Sequence, residues 1–227
     1  MKKIKLKLNI DWKPKIIDLL IVIIGITIAF KLNTWNESIT TNLEAKDYIE
    51  NFYEENITNE ANLVSALEFS VSNKKDIDTL KQILLSKKYT DKRIKFLIAS
   101  MMGLANYSPS ITTMENITAS GEFKLIKDIE LRKRIINTYN SYNTTLKLEN
   151  LLSDYVNKYV TPFFFENVRF SDFSSIHSDF IKEPLFENIV FGYEVLLGQQ
   201  IKGYQDNLEE IKLLNEKLTA ANNVYKK

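Results

Sequence analysis

Cysteine is absent from this chain, histidine occurs once, and only six glycines and four prolines are spread over 227 residues. Without cysteine there is no disulfide scaffold, no thiolate zinc site, no Fe–S cluster and no thiol nucleophile. A lone His177 makes no two-histidine metal site. Its neighbours Ser174, Ser175, Ser178 and Asp179 are the composition of a polar loop, and a Ser–His–Asp triad needs a geometry that such a loop does not imply. The HExxH, Walker A and GxGxxG patterns are all missing. Neither charge is in excess, with 30 Lys and Arg against 29 Asp and Glu, so nothing marks a surface for a phosphate backbone and no nucleic-acid partner is expected. Carboxylate pairs such as Glu54-Glu55 and Glu209-Glu210 are what solvated helix faces carry. The expectation is a non-enzymatic protein with no cofactor and no metal. The scarcity of glycine and proline favours long helices over many short strands.

What is present begins at the N-terminus. Lys2, Lys3, Lys5, Lys7, Lys13 and Lys15 face one acid, Asp11, and are followed by Ile16–Leu32, apolar except for Asp18, Thr27 and Lys31. A bilayer core needs about 20 helical residues. With Lys31 snorkelling and Trp35 at the interface, 16–35 is long enough to span. The lysines before the span place 1–15 in the cytoplasm and 36–227 outside it, in the periplasm of a bacterium with two membranes. Three other readings stand beside this one: a cleaved signal peptide with Thr27-x-Ala29 at the cut, a buried core helix, and a lipid-facing anchor with no further role. Asp18 lies about one turn inside the span, where a carboxylate either has a partner or reaches cytoplasmic water. Gly25-x-x-x-Ala29 lets two helix backbones approach closely. Asp18, Gly25 and Ala29 are therefore the candidates for helix association in the membrane.

The remainder reads as helices. No glycine or proline interrupts 31–72, so the span is expected to continue as one long helix. Ile39, Leu43, Tyr48, Phe52, Ile57, Leu63, Val64 and Leu67 recur at mixed, mostly helical spacings. Two shorter helices are expected over 76–85 and 91–105. Another should start at Ser108-Pro109 and stop at Gly121, and Asp128 should cap a long one ending near Pro162. In the last segment Leu197, Ile201, Tyr204, Leu208, Ile211 and Leu218 form a heptad seam with Asn215 at a core position, where a polar residue sets register. The seam serves either intramolecular packing or an intermolecular coiled coil. Between the long helices, 162–192 holds eight of the thirteen phenylalanines. It reads as an irregular excursion that caps the core or exposes a partner surface; Phe163, Phe164, Phe165, Phe170 and Phe173 are the candidates for that surface.

One resemblance emerges from two motifs. The first is Val22-Ile23-Ile24-Gly25-Ile26-Thr27-Ile28-Ala29-Phe30 with Asn33-Thr34-Trp35-Asn36-Glu37, opened by Asp18; the second is Ser120-Gly121-Glu122-Phe123-Lys124-Leu125-Ile126 with Leu131-Arg132. Over 12–59 and 119–142 the chain resembles an uncharacterised bacterial family of small single-span membrane proteins, a domain of unknown function. The resemblance implies an inner-membrane anchor and a mostly helical outer domain, and no activity. It draws attention to Asp18, Gly25, Trp35, Asn36, Glu37 and Gly121. Together with Asn33, the residues Trp35, Asn36 and Glu37 lie where the span meets the outer domain, as an interface motif that anchors or braces it.

The expected architecture is thus all-α: one N-terminal transmembrane helix and an extracytoplasmic helical bundle with long antiparallel helices. The expected role is an interaction or scaffold module in a homo- or hetero-oligomeric complex, its partners the lipid bilayer and another protein or a second copy of itself. The rival is a small-ligand sensor working through a partner chain. A hydrolase using carboxylates of the Phe-rich segment ranks third.

Overall fold

The computed structural model describes residues 12–172, 174–176 and 180–225. These are mostly helical, in an all-α arrangement relieved by one two-residue antiparallel strand pair. In chain order the elements are α1 (Trp12–Leu85), α2 (Ile94–Ala99), α3 (Thr112–Ser120), α4 (Ile129–Tyr155), α5 (Thr161–Asn167), β1 (Val168–Arg169), β2 (Ser174–Ser175) and α6 (Pro184–Tyr225). Turns of 3-10 helix follow α2 and α3 and precede α6, and one π turn, Val156–Val160, joins α4 to α5. The chain forms two compact units, Met1–Asp47 and Tyr48–Lys227. The described part of the first unit is all α1.

The caps explain where several helices begin and end. Asp128 accepts hydrogen bonds from the backbone N–H groups of Glu130 and Leu131, at 2.8 and 3.1 Å, and starts α4. Gly121 ends α3 in the left-handed region, φ +72°, where a Cβ is strained and glycine is not. Other boundaries differ from the sequence-based expectation. Residues 76–85 are the last turns of α1 and not a separate helix, and the helix expected over 91–105 is only α2 and its 3-10 turn. Helix α3 starts at Thr112, after a non-helical stretch through Ser108-Pro109. The reason is that Asn59 holds the backbone of Ser110 on both sides, accepting from its N–H (2.7 Å) and donating to its carbonyl (2.8 Å). The long helix does not stop at Pro162 but passes through the π turn into α5. Pro162 has no N–H to donate and its ring crowds the preceding turn, and the wider turn accommodates both.

In the second unit, burial on the three long helices follows one rule. On α1 the buried face runs through Ile49, Phe52, Asn56, Asn59, Leu63, Ala66, Ser70, Asn73, Ile77, Leu80 and Leu84, with Ile83 buried beside it, and on α6 the face runs through Phe186, Val190, Tyr193, Leu197, Gln200, Tyr204, Asn207, Ile211, Leu214 and Leu218. Both lists alternate steps of three and four, the spacing of a helix face that stays in contact over its whole length. On α4 the face is Leu131, Ile135, Thr138, Tyr142, Thr145 and Leu152, continued by Val156 of the π turn, with half-buried Glu149 completing the series. The expected α6 seam is therefore corrected at three positions: Gln200, Asn207 and Leu214 are buried, while Ile201, Leu208 and Asn215 one residue later are half-buried.

Two apolar cores are strung along these faces. One gathers Ile77, Leu80 and Leu84 with Leu97, Met101, Leu152, Val156, Phe163, Phe164, Phe180, Phe186 and Tyr193. The other gathers Ile49, Phe52, Leu63 and Ala66 with Tyr107, Ile117, Leu131, Ile135, Tyr139, Tyr142, Tyr204, Ile211 and Leu218. The stretch between them is polar on each helix: Ser70 and Asn73 on α1, Thr145 and Glu149 on α4, Gln200 on α6. Asn56 pairs with Ile211 and Asn215, while Lys74 and Lys81 both meet Glu194, so α1 and α6 run antiparallel.

The fully buried Asn56 accepts the Tyr142 hydroxyl at 2.6 Å. Asn56→Leu would improve an ordinary apolar seam. Here it leaves the Tyr142 hydroxyl unpaired, and urea unfolding should show a loss of roughly 1–3 kcal/mol. An unchanged or raised midpoint would contradict the polar seam.

Candidate functional site

Polar groups from all three faces reach one feature, the non-helical segment 103–111. Its backbone groups have no helix to pair within, and buried backbone groups require partners. The carbonyl of Gly103 accepts from Asn73 (2.9 Å) and from the Tyr193 hydroxyl (3.3 Å). The N–H of Tyr107 donates to Glu149 at 2.8 Å, and Ser110 is held by Asn59. Glu149 also accepts the Tyr204 hydroxyl, which in turn accepts from Gln200 Nε2 at 3.0 Å. Two amides and a carboxylate at face positions thus substitute for secondary structure.

A second carboxylate closes the same segment from the other end. Glu55 accepts from the Ser110 hydroxyl (3.0 Å), from the N–H and hydroxyl of Thr113 (2.9 and 3.1 Å), and from the Tyr139 hydroxyl. It caps α3 from α1, an arrangement favoured by the partial positive charge of a helix start. Beside it, Tyr142 donates to Asn56, Asn56 donates to Asn215, and Asn215 donates to Glu60 at 2.7 Å. Asn215 therefore ties α6 to α1 within the chain. The rings of Phe52, Tyr139, Tyr142 and Tyr107 pack edge-on or tilted, with centroids 5.1–6.0 Å apart. Burial pushes the phenols of Tyr107, Tyr139, Tyr142 and Tyr204 far up, and that of Tyr193 to about 12. They stay protonated, and Tyr139, Tyr142, Tyr193 and Tyr204 act as donors. Burial also pushes the Glu149 carboxyl above its usual range, partly offset by the two donors that it accepts.

Several hollows open on this unit, two of them beside this network. A groove of about 530 Å³ between α4 and α6 is lined by Ser141, Thr145, Leu148, Val195, Gly198 and Lys202, among others. A cleft of about 350 Å³ beside Glu55 is lined by Tyr48, Asn51, Glu54, Thr112, Thr113 and Asn116. Among the described residues no group of three His, Asp or Glu side chains is placed to hold a metal ion.

The other predicted residues fall as follows. In the first unit Asp18, Gly25, Ala29, Asn33, Trp35, Asn36 and Glu37 are all exposed on α1. A Cβ on Gly25 would meet nothing within 4 Å. Asn33 Nδ2 donates to Glu37 Oε1 at 2.7 Å, four residues on, and the Asn36 carbonyl accepts from Thr40. The helix runs straight through this motif, so Asn36 and Glu37 cap no helix end. Among the phenylalanines, Phe163 and Phe164 are buried against Phe180 and Phe186. They belong to the core and are removed from the partner surface. Phe165 and Phe170 are exposed, with ring centroids 5.0 Å apart. Phe173 and His177 lie outside the described residues. Sequence reading missed Asn59, Asn73, Gln200 and Asn207. Their signal was available as polar residues at steps of three and four from apolar ones, and a search for apolar periodicity alone passes over it.

A family model described as "Family of unknown function (DUF6090)" matches residues 18–180. The chain belongs to that family. The DUF6090 match opens at Asp18, takes in both motifs noted above and reaches Phe180, a wider share of the chain than the motifs alone covered. It ends before α6, which supplies one side of both cores. No curated protein and no solved structure matches the chain.

The Glu149 carboxyl binds its proton more tightly in the folded chain than near the ordinary value of 4.5. Its contribution to stability is therefore fully present below that value and is lost as pH rises through the raised one. Glu149→Gln removes the ionisation while its amide oxygen still accepts from Tyr107 and Tyr204. Thermal unfolding of this variant should match the parent at acid pH and exceed it increasingly above. Glu149→Ala leaves both donors unpaired and should cost roughly 1–3 kcal/mol at every pH. A Gln variant less stable than the parent at pH 8 would reverse the sign argued here.

Proposed function

We propose that this DUF6090 protein is a membrane-anchored, non-enzymatic interaction module, a subunit of a homo- or hetero-oligomeric complex. The observation that carries the reading is the exposure of 16–32. Every large apolar side chain there is about half exposed or more, from 49% at Ile23 to 70% at Phe30. Seventeen residues of one helix with an apolar surface on all sides are at odds with water and suited to lipid. The stretch lies in the one helix among the described residues that is long and apolar enough to cross a membrane. Lysines before it and the Asn33–Glu37 pair with Trp35 after it give the two ends different interfaces. In the proposed topology the N-terminus is cytoplasmic, the span lies in the bacterial inner membrane, and Tyr48–Lys227 forms a periplasmic helical bundle of α1, α4 and α6.

Gly25 and Ala29, one turn apart on an open face, let a second span approach, and Asp18 supplies a polar group for its partner. The exposed Phe165–Phe170 pair offers the outer domain a contact of its own. The groove of about 530 Å³ supports a second reading, an extracytoplasmic sensor of a small ligand acting through a partner chain, because its volume lies in the range of ligand pockets.

Light scattering in mild detergent tests the first reading. The parent should run as a defined oligomer and Gly25→Leu/Ala29→Leu as a smaller species, both remaining in the membrane fraction after alkaline extraction. Release by alkaline extraction would remove the anchor, and a monomeric parent without co-purifying protein would remove the module. Saturable stabilisation by a small molecule, abolished by filling the groove with Gly198→Leu, would favour the sensor.

A further inference from the structure

Positive charge is concentrated in two places in a chain of net charge +1. One is the lysine-rich stretch before the apolar run. The other is 87–95, where Lys87, Lys88, Lys92, Arg93 and Lys95 face one acid, Asp91. All five cations are exposed, and Asp91 is engaged by Arg93 at 2.8 Å. The segment lies at the end of α1, about 55 Å along the helix from Tyr48 at 1.5 Å per residue.

Helix stability accounts for only part of this charge. Lys87 and Lys88 complement the carbonyl end of α1. Lys92, Arg93 and Lys95 stand at the start of α2, where cations are disfavoured and the first turn has no acid. Lys87 also carries a backbone irregularity. Its N–H donates to the carbonyl of Leu84 and that of Lys88 to the carbonyl of Ile83, the closure in which the left-handed residue is ordinarily glycine. Here the residue at φ +55° is lysine, the one non-glycine with positive φ among the described residues. A lysine thus stands at a position where the turn itself favours glycine.

The cations are interleaved with apolar side chains. Phe96 is 79% exposed, more than any other large apolar residue described, although Ile94, Leu97 and Ile98 of the same helix are buried and hold α2 in place. Leu85 is 56% exposed. Lys95 lines a small cavity with Val168 and Ser175, so the exposed Phe165–Phe170 pair beside β1 belongs to the same end of the unit.

We propose that this end of the protein is a docking surface for an anionic lipid bilayer. Lys87, Lys88, Lys92 and Lys95 would lie among phosphate headgroups, and Phe96 and Leu85 would enter the boundary with the acyl chains. Cations ringing a fixed aromatic fit that layered chemistry, in which phosphate lies directly over hydrocarbon. The surface adds a second lipid contact to the span of the preceding reading.

The test uses the full chain held by its span in nanodiscs of neutral phosphatidylcholine. These are mixed with phosphatidylcholine vesicles with or without phosphatidylglycerol, and co-flotation is measured. The parent should bind the anionic vesicles and not the neutral ones. Binding should fall steeply between 0.1 and 1 M salt, as the screening length shrinks from about 10 to 3 Å. The combined Lys88→Glu, Lys92→Glu, Lys95→Glu variant should lose at least about a hundredfold in affinity, each cation near an anionic leaflet being worth roughly fivefold. Lys87→Gly relieves the strained turn, so it should unfold at higher temperature yet bind about fivefold more weakly. A merely structural role for Lys87 would not produce that opposition. Equal binding to both vesicle types, or unchanged binding by a triple variant with the parent's circular dichroism, overturns the proposal. Full competition by soluble polyphosphate at matched phosphate concentration reassigns the patch to a charged polymer and also overturns it. If the parent fails to enter nanodiscs, the span reading fails and not this one; the same vesicle comparison is then run on the detergent-solubilised chain.

Discussion

The second unit depends on finding partners for the backbone of 103–111. That segment connects α2 to α3 without helix or strand of its own, and peptide groups of Gly103, Tyr107 and Ser110 are paired by side chains of the long helices. Asn59 and Asn73 on α1 take its two ends, and Glu149 on α4 takes the middle. Each occupies a position that the three-four alternation would otherwise give to leucine. An amide placed there has a dipole to satisfy, and the segment has unpaired groups; each meets the other's need. Tyr107 then enters the core from the segment as a fully buried ring, so the pairing also delivers apolar volume.

The same constraint explains which parts of the fold were legible in the sequence. Caps are local, and both Asp128 and Gly121 were readable because one residue type meets one backbone need. Helical content was readable from the scarcity of glycine and proline. The face of α6 was readable only in part. Leu197, Tyr204, Ile211 and Leu218 are in place, but the intervening positions were assigned to Ile201, Leu208 and Asn215. Those residues are apolar or familiar as register devices, whereas Gln200 and Asn207 look like surface residues. Their burial depends on Tyr204, Ser141 and Thr145, residues 4 to 66 positions away, and no local pattern reports that. The face of α1 was obscured in the same way by Asn56, Asn59, Ser70 and Asn73. The division of the phenylalanines was equally non-local: Phe163 and Phe164 are sorted into the core by Phe180 and Phe186, while their neighbour Phe165 is left out.

The first unit presents the opposite case. Its long apolar helix was legible because the context of that pattern is the helix itself. The DUF6090 match begins at Asp18, so family membership and the apolar pattern draw attention to the same stretch. That match stops at Phe180, while each core needs α6. The polar positions of α6, unlike Asn59 or Asn73, lie outside the matched residues.

Two cores on three common helices, separated by a polar tier, also bear on how the unit opens. A continuous apolar core melts as one body because every layer supports the next. Here the tier interrupts the run of tight apolar contacts: Asn73, Glu149 and Gln200 contribute hydrogen bonds of modest net worth, and the buried Ser70 hydroxyl has no partner. The half containing Leu80, Val156 and Phe186 can loosen while the half containing Phe52, Tyr139 and Ile211 stays closed. The helices then behave as a rod with a fracture plane across its middle. Amide hydrogens on the two sides of that plane should fall into two exchange classes, divided at matching heights on α1, α4 and α6.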